Sequence, residues 1–349
     1  MKTVEVTLCP ERNVTLTGYL QQVGGEFRHI VRRPAVLVLP GGAYQMCSDR
    51  EADPVAIAYL NAGYQAFILR YSVQSHATWP NPLRDVEEAL SLIRDHGENW
   101  GVYPDKIAVI GFSAGGHLAA CAATMAQERP NAAIIGYGVT LGRDMNGNVQ
   151  GEADAVSAVD GKTPPCFLFT VRTDPVVPID NQFRFMEALT AQDISFETHI
   201  YSYGPHGFSV GTPAANSPDM QLSPRVRNWV AESIGWLNEL FGTFGDKEMT
   251  PALFSPRLNR DDDGYFSVDC TIAHLSGNPL AGPVIAPMLN RCVRIMYPNL
   301  PEPERDQKAE AIRAGSAGKL TLRGAMSFAK IPDSDVQQLN EQLQHIVIL

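Results

Sequence analysis

The stretch Gly111-Phe112-Ser113-Ala114-Gly115 sets a serine two residues from a glycine on either side. It follows the apolar residues Ile107-Ala108-Val109-Ile110 and opens the small-residue segment Gly116-His117-Leu118-Ala119-Ala120-Cys121-Ala122-Ala123. A buried strand that passes into a helix at such a serine makes a sharp turn that lifts the hydroxyl clear of the backbone. The glycines have a steric purpose, because β-carbons at 111 and 115 would collide across so tight a turn. The chemistry open to that hydroxyl is nucleophilic attack on an acyl carbon. A serine does this when a base takes its proton, which on such a turn calls for a histidine and usually an acid to fix that imidazole's tautomer, and on a strand-turn-helix of this kind the chain order is serine, acid, histidine.

Of the eight histidines, His206 alone lies in a glycine-bracketed loop, Gly204-Pro205-His206-Gly207-Phe208, after a late strand. His117 falls on the helix after the serine and reads as a packing residue, and His76 comes too early for the order. For the acid, Asp174 follows the run Cys166-Phe167-Leu168-Phe169-Thr170-Val171 and precedes Pro175-Val176-Val177-Pro178. That places it at the carboxyl edge of a sheet, where open α/β folds carry their sites. Asp180 competes, but it stands at the start of a helix, where capping accounts for it. The charge that develops on an attacked carbonyl oxygen needs backbone N–H donors. Ala114 supplies one after the nucleophile, and Gly42 and Ala43 supply others from the glycine-rich loop Pro40-Gly41-Gly42-Ala43-Tyr44.

The elements that must position these groups alternate between strand and helix. Val4, Val6 and Leu8, then Val14, Leu16 and Leu20, alternate about Pro10-Glu11-Arg12-Asn13 and predict an antiparallel edge hairpin. Pro34-Ala35-Val36-Leu37-Val38-Leu39 is apolar without alternation, as for a strand covered on both faces. Ser48-Asp49-Arg50-Glu51 has the spacing of a capping box and predicts a helix from there to Asn61-Ala62-Gly63. Further strands are expected over 65–71, 131–139, 166–171 and 196–201. Helices are expected over 83–96, 181–191 and a tryptophan-rich segment ending near Gly242. The fold class is α/β, a mainly parallel sheet with helices on both faces, followed by a small helical domain.

The boundaries read as a catalytic domain over 1–242, a linker over 243–260 and a mainly helical domain over 261–349. Asp261-Asp262-Asp263-Gly264 is a turn. Glu304 to Ala314 reads as a polar helix, and Val336, Leu339, Leu343 and Ile346 mark an amphipathic one. Pro279, Pro283 and Pro287 are expected to break up what lies between. The C-terminal helix must bury its apolar face against the catalytic domain, its own module or a second subunit, the last being the route to a homo-oligomer.

Composition bounds the partners. The 349 residues carry a net charge of −10 and 44% hydrophobic content, which suits a globular chain and argues against a nucleic-acid surface. No stretch reaches the length of a membrane span, and the N-terminus alternates charged and apolar residues, unlike a signal peptide. The six cysteines, at 9, 47, 121, 166, 270 and 292, form no C-x-x-C and no close grouping with histidine. They read as buried thiols in a cytoplasmic protein, with no metal and no cofactor called for.

Residues 34 to about 242 resemble the α/β-hydrolase superfamily, and within it the bacterial esterases related to feruloyl and acetyl-xylan esterases. The resemblance is carried in order by Pro40-Gly41-Gly42-Ala43-Tyr44, by Gly111 through Ala120, by Thr163-Pro164-Pro165, by Asp174-Pro175-Val176-Val177-Pro178 and by His206-Gly207. Two departures stand out: Ala43 occupies the third glycine of the oxyanion loop, and the segment between Thr140 and Thr163 is short for a lid. The stretch from Phe266 to Leu275, with Asn278-Pro279, is similar to small helical modules appended to bacterial carbohydrate-processing enzymes. Together these imply a serine carboxylesterase with Ser113, His206 and Asp174 as its triad. The implied substrate is a small acylated, acetylated-sugar-like molecule. A serine peptidase of the same fold and a non-catalytic ligand-binding protein are the alternatives.

Overall fold

The computed structural model describes residues 1–145, 151, 153–261 and 263–346. It divides into two compact units, 1–256 and 257–349. In the first, β1 (Lys2–Cys9) and β2 (Val14–Leu20) form the antiparallel hairpin. Then come β3 (Arg33–Leu39), α1 (Asp53–Asn61), β4 (Gln65–Arg70), α2 (Asn81–Asp95), α3 (Gly97–Trp100), β5 (Val102–Phe112), α4 (Ala114–Thr124) and β6 (Ala132–Gly136). The unit closes with β7 (Cys166–Val171), α5 (Asp180–Ala191), β8 (Phe196–Tyr201) and α6 (Asn228–Phe241). Among the described residues the strands make one eight-stranded sheet in the order β1-β2-β4-β3-β5-β6-β7-β8. The hairpin joins β4 antiparallel, and every pairing from β4 to β8 is parallel.

The unalternating apolar strands are buried on both faces because each residue faces one of two cores. Ala35, Leu37 and Leu39 of β3 pack with Val86 and Leu90 of α2, Leu118 of α4 and Phe185 of α5. Their neighbours Val36 and Val38 pack on the other face with Val55 and Tyr59 of α1 and Trp229 and Leu237 of α6. Each such fully buried valine or leucine stabilises the fold by roughly 1.5–3 kcal/mol. This two-sided burial fixes the central strands, and the loops that leave the carboxyl ends of β3, β5, β6 and β7 begin with Pro40, Ser113, Tyr137 and Arg172.

The expected capping box does not form. Ser48 makes no side-chain cap, residues 49–51 are a single helical turn, and α1 begins only at Asp53. The Glu51 carboxylate is buried and turned elsewhere. The stretch read as a linker also differs from expectation up to residue 256. Leu253 N–H donates to Glu239 O at 2.7 Å, Ser195 N–H donates to Pro256 O at 3.0 Å, and Phe254 packs on Trp236. These bonds tie 243–256 to the first unit.

The second unit contains α7 (Ile272–Gly277), α8 (Ala281–Met296), α9 (Glu302–Arg313), α10 (Leu322–Phe328) and α11 (Asp333–Gln344). The prolines do not break it up: α8 runs sixteen residues with Pro287 inside. Pro283 sits in the first turn, where no N–H is needed, so the helix forgoes one hydrogen bond at Pro287. The buried face of Ile285, Leu289, Cys292 and Val293 outweighs that loss. Thr271 and Thr321 cap α7 and α10, accepting from His274 N–H and Gly324 N–H. Leu339 and Leu343 of α11 are buried in the core of their own unit, with Val336 and Ile346 packed against it. Asp262 of the expected turn, and residues 347–349, lie outside the described residues. No helix among the described residues is long and apolar enough to cross a membrane.

Candidate active site

Strand β5 ends at Phe112 and helix α4 begins at Ala114, so Ser113 holds the joint, at φ 53° and ψ −116°. A side chain in that region costs on the order of 1–3 kcal/mol and persists only when its surroundings enforce it. Here they do. A β-carbon on Gly111 would stand 2.0 Å from the Gly115 carbonyl oxygen, the collision expected across the turn. One on Gly115 would stand 2.1 Å from Leu39 O, so the second glycine is required by the end of β3. Of residues 111–124, Ser113 alone is not buried.

Asp174 lies just past the end of β7, with its side chain 1% exposed. Its Oδ1 accepts the N–H groups of Val176 and Val177 at 2.8 and 2.9 Å, and its Oδ2 lies 2.8 Å from His206 Nδ1. The other ring nitrogen, His206 Nε2, is 2.8 Å from Ser113 Oγ. With Nδ1–H donated to the carboxylate, Nε2 is left as the acceptor for the serine proton. An imidazole so placed can take that proton and return it to a leaving group on the same side.

The competing residues lie elsewhere. Asp180, at the first position of α5, pairs with Arg143 at 2.7 Å and Arg184 at 3.6 Å. His76 sits in a one-turn helix over Gln74–His76, and its carbonyl accepts from Asn81 Nδ2. His117 is fully buried on α4. Its Nδ1 accepts from Tyr44 O–H at 2.8 Å and its Nε2–H donates to Ala153 O at 2.9 Å. Burial pushes the Tyr44 phenol well above its ordinary pKa, so it stays a donor. His117 therefore ties the glycine-rich loop to Ala153, a longer reach than the packing role expected of it.

That loop lies against Ser113: a β-carbon on Gly41 would be 3.1 Å from Ser113 Cβ and 2.7 Å from Phe112 O. The chain turns there with Gly42 at φ 135° and Ala43 at φ 53°, and Gln45 and Met46 N–H groups donate to Gly42 O. Ala43 thus stands where a glycine would be unstrained, which makes physical sense of the third glycine in the loop it resembles. Ala114, buried, is the first residue of α4, where a helix N–H has no partner inside the helix.

Two residues at the site were missed by sequence reasoning. The Glu51 carboxylate does not cap α1. Its Oε2 accepts Gly41 N–H at 2.8 Å and its Oε1 accepts Tyr137 O–H at 2.6 Å. Tyr137, directly after β6, packs its ring 5.1 Å from that of His206 and accepts Ser209 N–H at 3.0 Å. Burial, and then the neighbouring Glu51 carboxylate, raise the Tyr137 phenol well above its ordinary pKa.

Cysteine and metal chemistry lie apart from this set. All six cysteines are free; four are buried, and Cys9 and Cys47 are half-buried, a correction to the expectation of six buried thiols. Burial pushes the Cys47 thiol up to about 11. Glu197, His199 and Glu232 each bring one donor atom within 4.8 Å of the others, a grouping that strand alternation and α6 create. His199 Nε2 is already satisfied by Glu197 at 2.7 Å.

The BD-FAE family model matches residues 28–137. The chain is 30% identical over 216 residues to endo-1,4-beta-xylanase B of Butyrivibrio fibrisolvens, covering 52% of this chain and 33% of that protein. It is 30% identical over 200 residues to an acetylxylan esterase of Xylanibacter ruminicola, covering 51% and 42% respectively. The chain therefore spans less than half the length of either relative. Among solved structures it is similar to MGS-M1, an alpha/beta hydrolase enzyme from a Medee basin deep-sea metagenome library. That match has 41% identity and a TM-score of 0.65, and covers 68% of this chain and 97% of that one.

Proposed function

This chain belongs to the α/β-hydrolase superfamily, and from that premise we propose that it is a serine carboxylesterase removing short acyl groups, acetyl first, from carbohydrate-like alcohols. The observation that carries the proposal is the continuous line from Asp174 Oδ2 through His206 to Ser113 Oγ, 2.8 Å at each step.

In the mechanism, Ser113 Oγ attacks the ester carbonyl carbon as His206 Nε2 takes the hydroxyl proton. Asp174 holds the ring and balances the charge it gains. The carbonyl oxygen becomes an oxyanion facing the N–H groups of Gly42, Ala43 and Ala114. Collapse breaks the bond to the alcohol oxygen, which leaves with the proton from His206. Water then repeats the sequence on the acyl-serine and frees the acid. No metal or organic cofactor takes part in these steps. The substrate class is supported by the similarity to an acetylxylan esterase. The unit over 1–256 carries every group used, and the free thiols support a reducing, cytoplasmic setting.

The test is a panel of esters of increasing acyl length, acetylated sugars and peptide amides, run beside labelling with a serine-reactive phosphonate. Labelling at Ser113 and preference for acetyl over longer acyl groups is the expected result. Labelling without ester turnover but with amide cleavage would replace the reading by a peptidase, and no labelling would remove the serine mechanism.

A further inference from the structure

We propose that Glu51 and Tyr137 are positioning residues that fix the oxyanion loop and the general base relative to each other, through one buried carboxylate and one buried phenol. The proposal rests on the serine-esterase reading above.

Glu51 is 3% exposed, and a carboxylate is carried so deep only where its lone pairs are used. Both oxygens are. Oε2 takes the N–H of Gly41, the neighbour of Gly42, and Oε1 takes the O–H of Tyr137. The phenol oxygen in turn takes the N–H of Ser209, three residues after His206. The two loops are thus linked by an uninterrupted run of loop, carboxylate, phenol and loop. Gly41 is caught between its ends: a β-carbon there would lie 2.6 Å from Glu51 Oε2 and 3.1 Å from Ser113 Cβ. A shift of the carboxylate is therefore passed to the loop beside the nucleophile.

The His206 side is fixed equally closely. The Tyr137 ring stands edge-on to His206 at 73° and lies 4.4 Å from Phe208. Arg50, next to Glu51, donates to Gly207 O at 3.2 Å, and its own carbonyl accepts from Ser209 Oγ. One further consequence concerns the oxyanion donors. Gly41 N–H is spent on Glu51, so the loop's share of the oxyanion hole falls to Gly42 and Ala43.

Tyr137→Phe keeps the ring and deletes only the hydroxyl, leaving Glu51 Oε1 and Ser209 N–H without their partner. Glu51→Gln keeps the shape but turns an NH₂ toward one of two donors. Each variant is measured with kcat normalised to phosphonate-titrated Ser113, so that loss of folded protein does not count. We expect kcat to fall on the order of 10- to 100-fold, because a small misplacement of reacting groups is that costly. KM should stay within about threefold, because substrate binding is not the interaction removed. Phosphonate labelling should slow with kcat, and the double variant should lose little more than the worse single one, as expected of groups acting as one unit. A purely structural role would lower the melting temperature and leave kcat per titrated site unchanged. Variants within about twofold of the parent on that measure would overturn the inference. If Glu51→Gln does not fold, Tyr137→Phe decides alone. A parent that labels while the variants match it sinks only this inference; a parent that never labels at Ser113 sinks the esterase reading with it.

Discussion

Asp174 meets His206 with one carboxylate oxygen while its other oxygen is held by the N–H groups of Val176 and Val177. All three partners are donors, so an amide at this position must turn its NH₂ toward one of them. Asp174→Asn is expected to lower kcat/KM on the order of a thousandfold or more, through the wrong imidazole tautomer. Asp180→Asn, which loses only its pairs with Arg143 and Arg184, should change it by less than about threefold, since such exposed pairs contribute little. Rates with an acetyl ester decide it, and the reverse ranking would move the acid to Asp180.

Removing the Ser113 hydroxyl should separate activity from stability. Ser113→Ala should reduce kcat by at least roughly a thousandfold with the far-UV spectrum intact. Ser113→Gly should be as inactive yet more stable than the alanine variant by about 1 kcal/mol, because only glycine occupies φ 53° without strain. Urea unfolding of the pair reads the difference, and equal midpoints would show that the turn stores no strain.

The glycines of the turn are not interchangeable with other glycines of the chain. Gly115→Ala sets a β-carbon 2.1 Å from Leu39 O, with backbone fixed in the sheet on one side and α4 on the other. We expect a loss of about 3 kcal/mol or more, if the protein accumulates at all. Gly235→Ala in α6 meets nothing within 4 Å and should stabilise by up to about 1 kcal/mol through helix propensity. Denaturant midpoints for both test the contrast; a tolerated Gly115→Ala would contradict the close approach of β3 and α4.

Alkaline pH should unfold the protein before its buried phenols ionise. Burial raises the pKa values of Tyr44, Tyr59, Tyr64, Tyr71 and Tyr137 above those they have when unfolded. A group whose folded pKa is raised contributes its full stability below the unfolded value and loses it as pH rises, so stability should fall steeply above a pH of about 10. Phenolate absorbance followed with circular dichroism should show these tyrosines titrating together with loss of the fold. Smooth ionisation of all eleven tyrosines in folded protein would refute it.

Where the chain is cut should matter within a few residues. A chain ending at Pro256 retains the Pro256 O acceptor for Ser195 N–H and the Phe254 contact with Trp236, and should fold and label at Ser113. One ending at Thr250 loses both, with the Leu253 bond to Glu239, and should melt at a lower temperature. A Pro256 chain that folds but no longer labels would assign part of the site to the second unit.

The sequence by itself determined the local features of this protein. The glycines about Ser113, the prolines after Asp174 and the glycines about His206 mark backbone turns at strand ends, and such turns are governed by residues adjacent in the chain. The strands of the central sheet were legible for a related reason: burial on both faces demands an apolar run, and no polar alternation interrupts it. What escaped was decided by groups far apart in sequence. Ser48 and Glu51 satisfy a capping pattern locally, yet the carboxylate finds better partners in Gly41 and Tyr137, which only the assembled sheet edge brings within 3 Å. Pro283 and Pro287 argue against a helix from their own chemistry. Helix α8 forms through them because its apolar face has a core to enter. Residues 243–256 look like a linker because they lack periodicity, and they belong to the first unit because Glu239 and Ser195 supply hydrogen bonds that no local pattern announces. In each case a local signal, worth about 1 kcal/mol for the cap and about 3 kcal/mol for a proline inside a helix, yielded to burial and hydrogen bonding whose partners are set only once the tertiary structure is built.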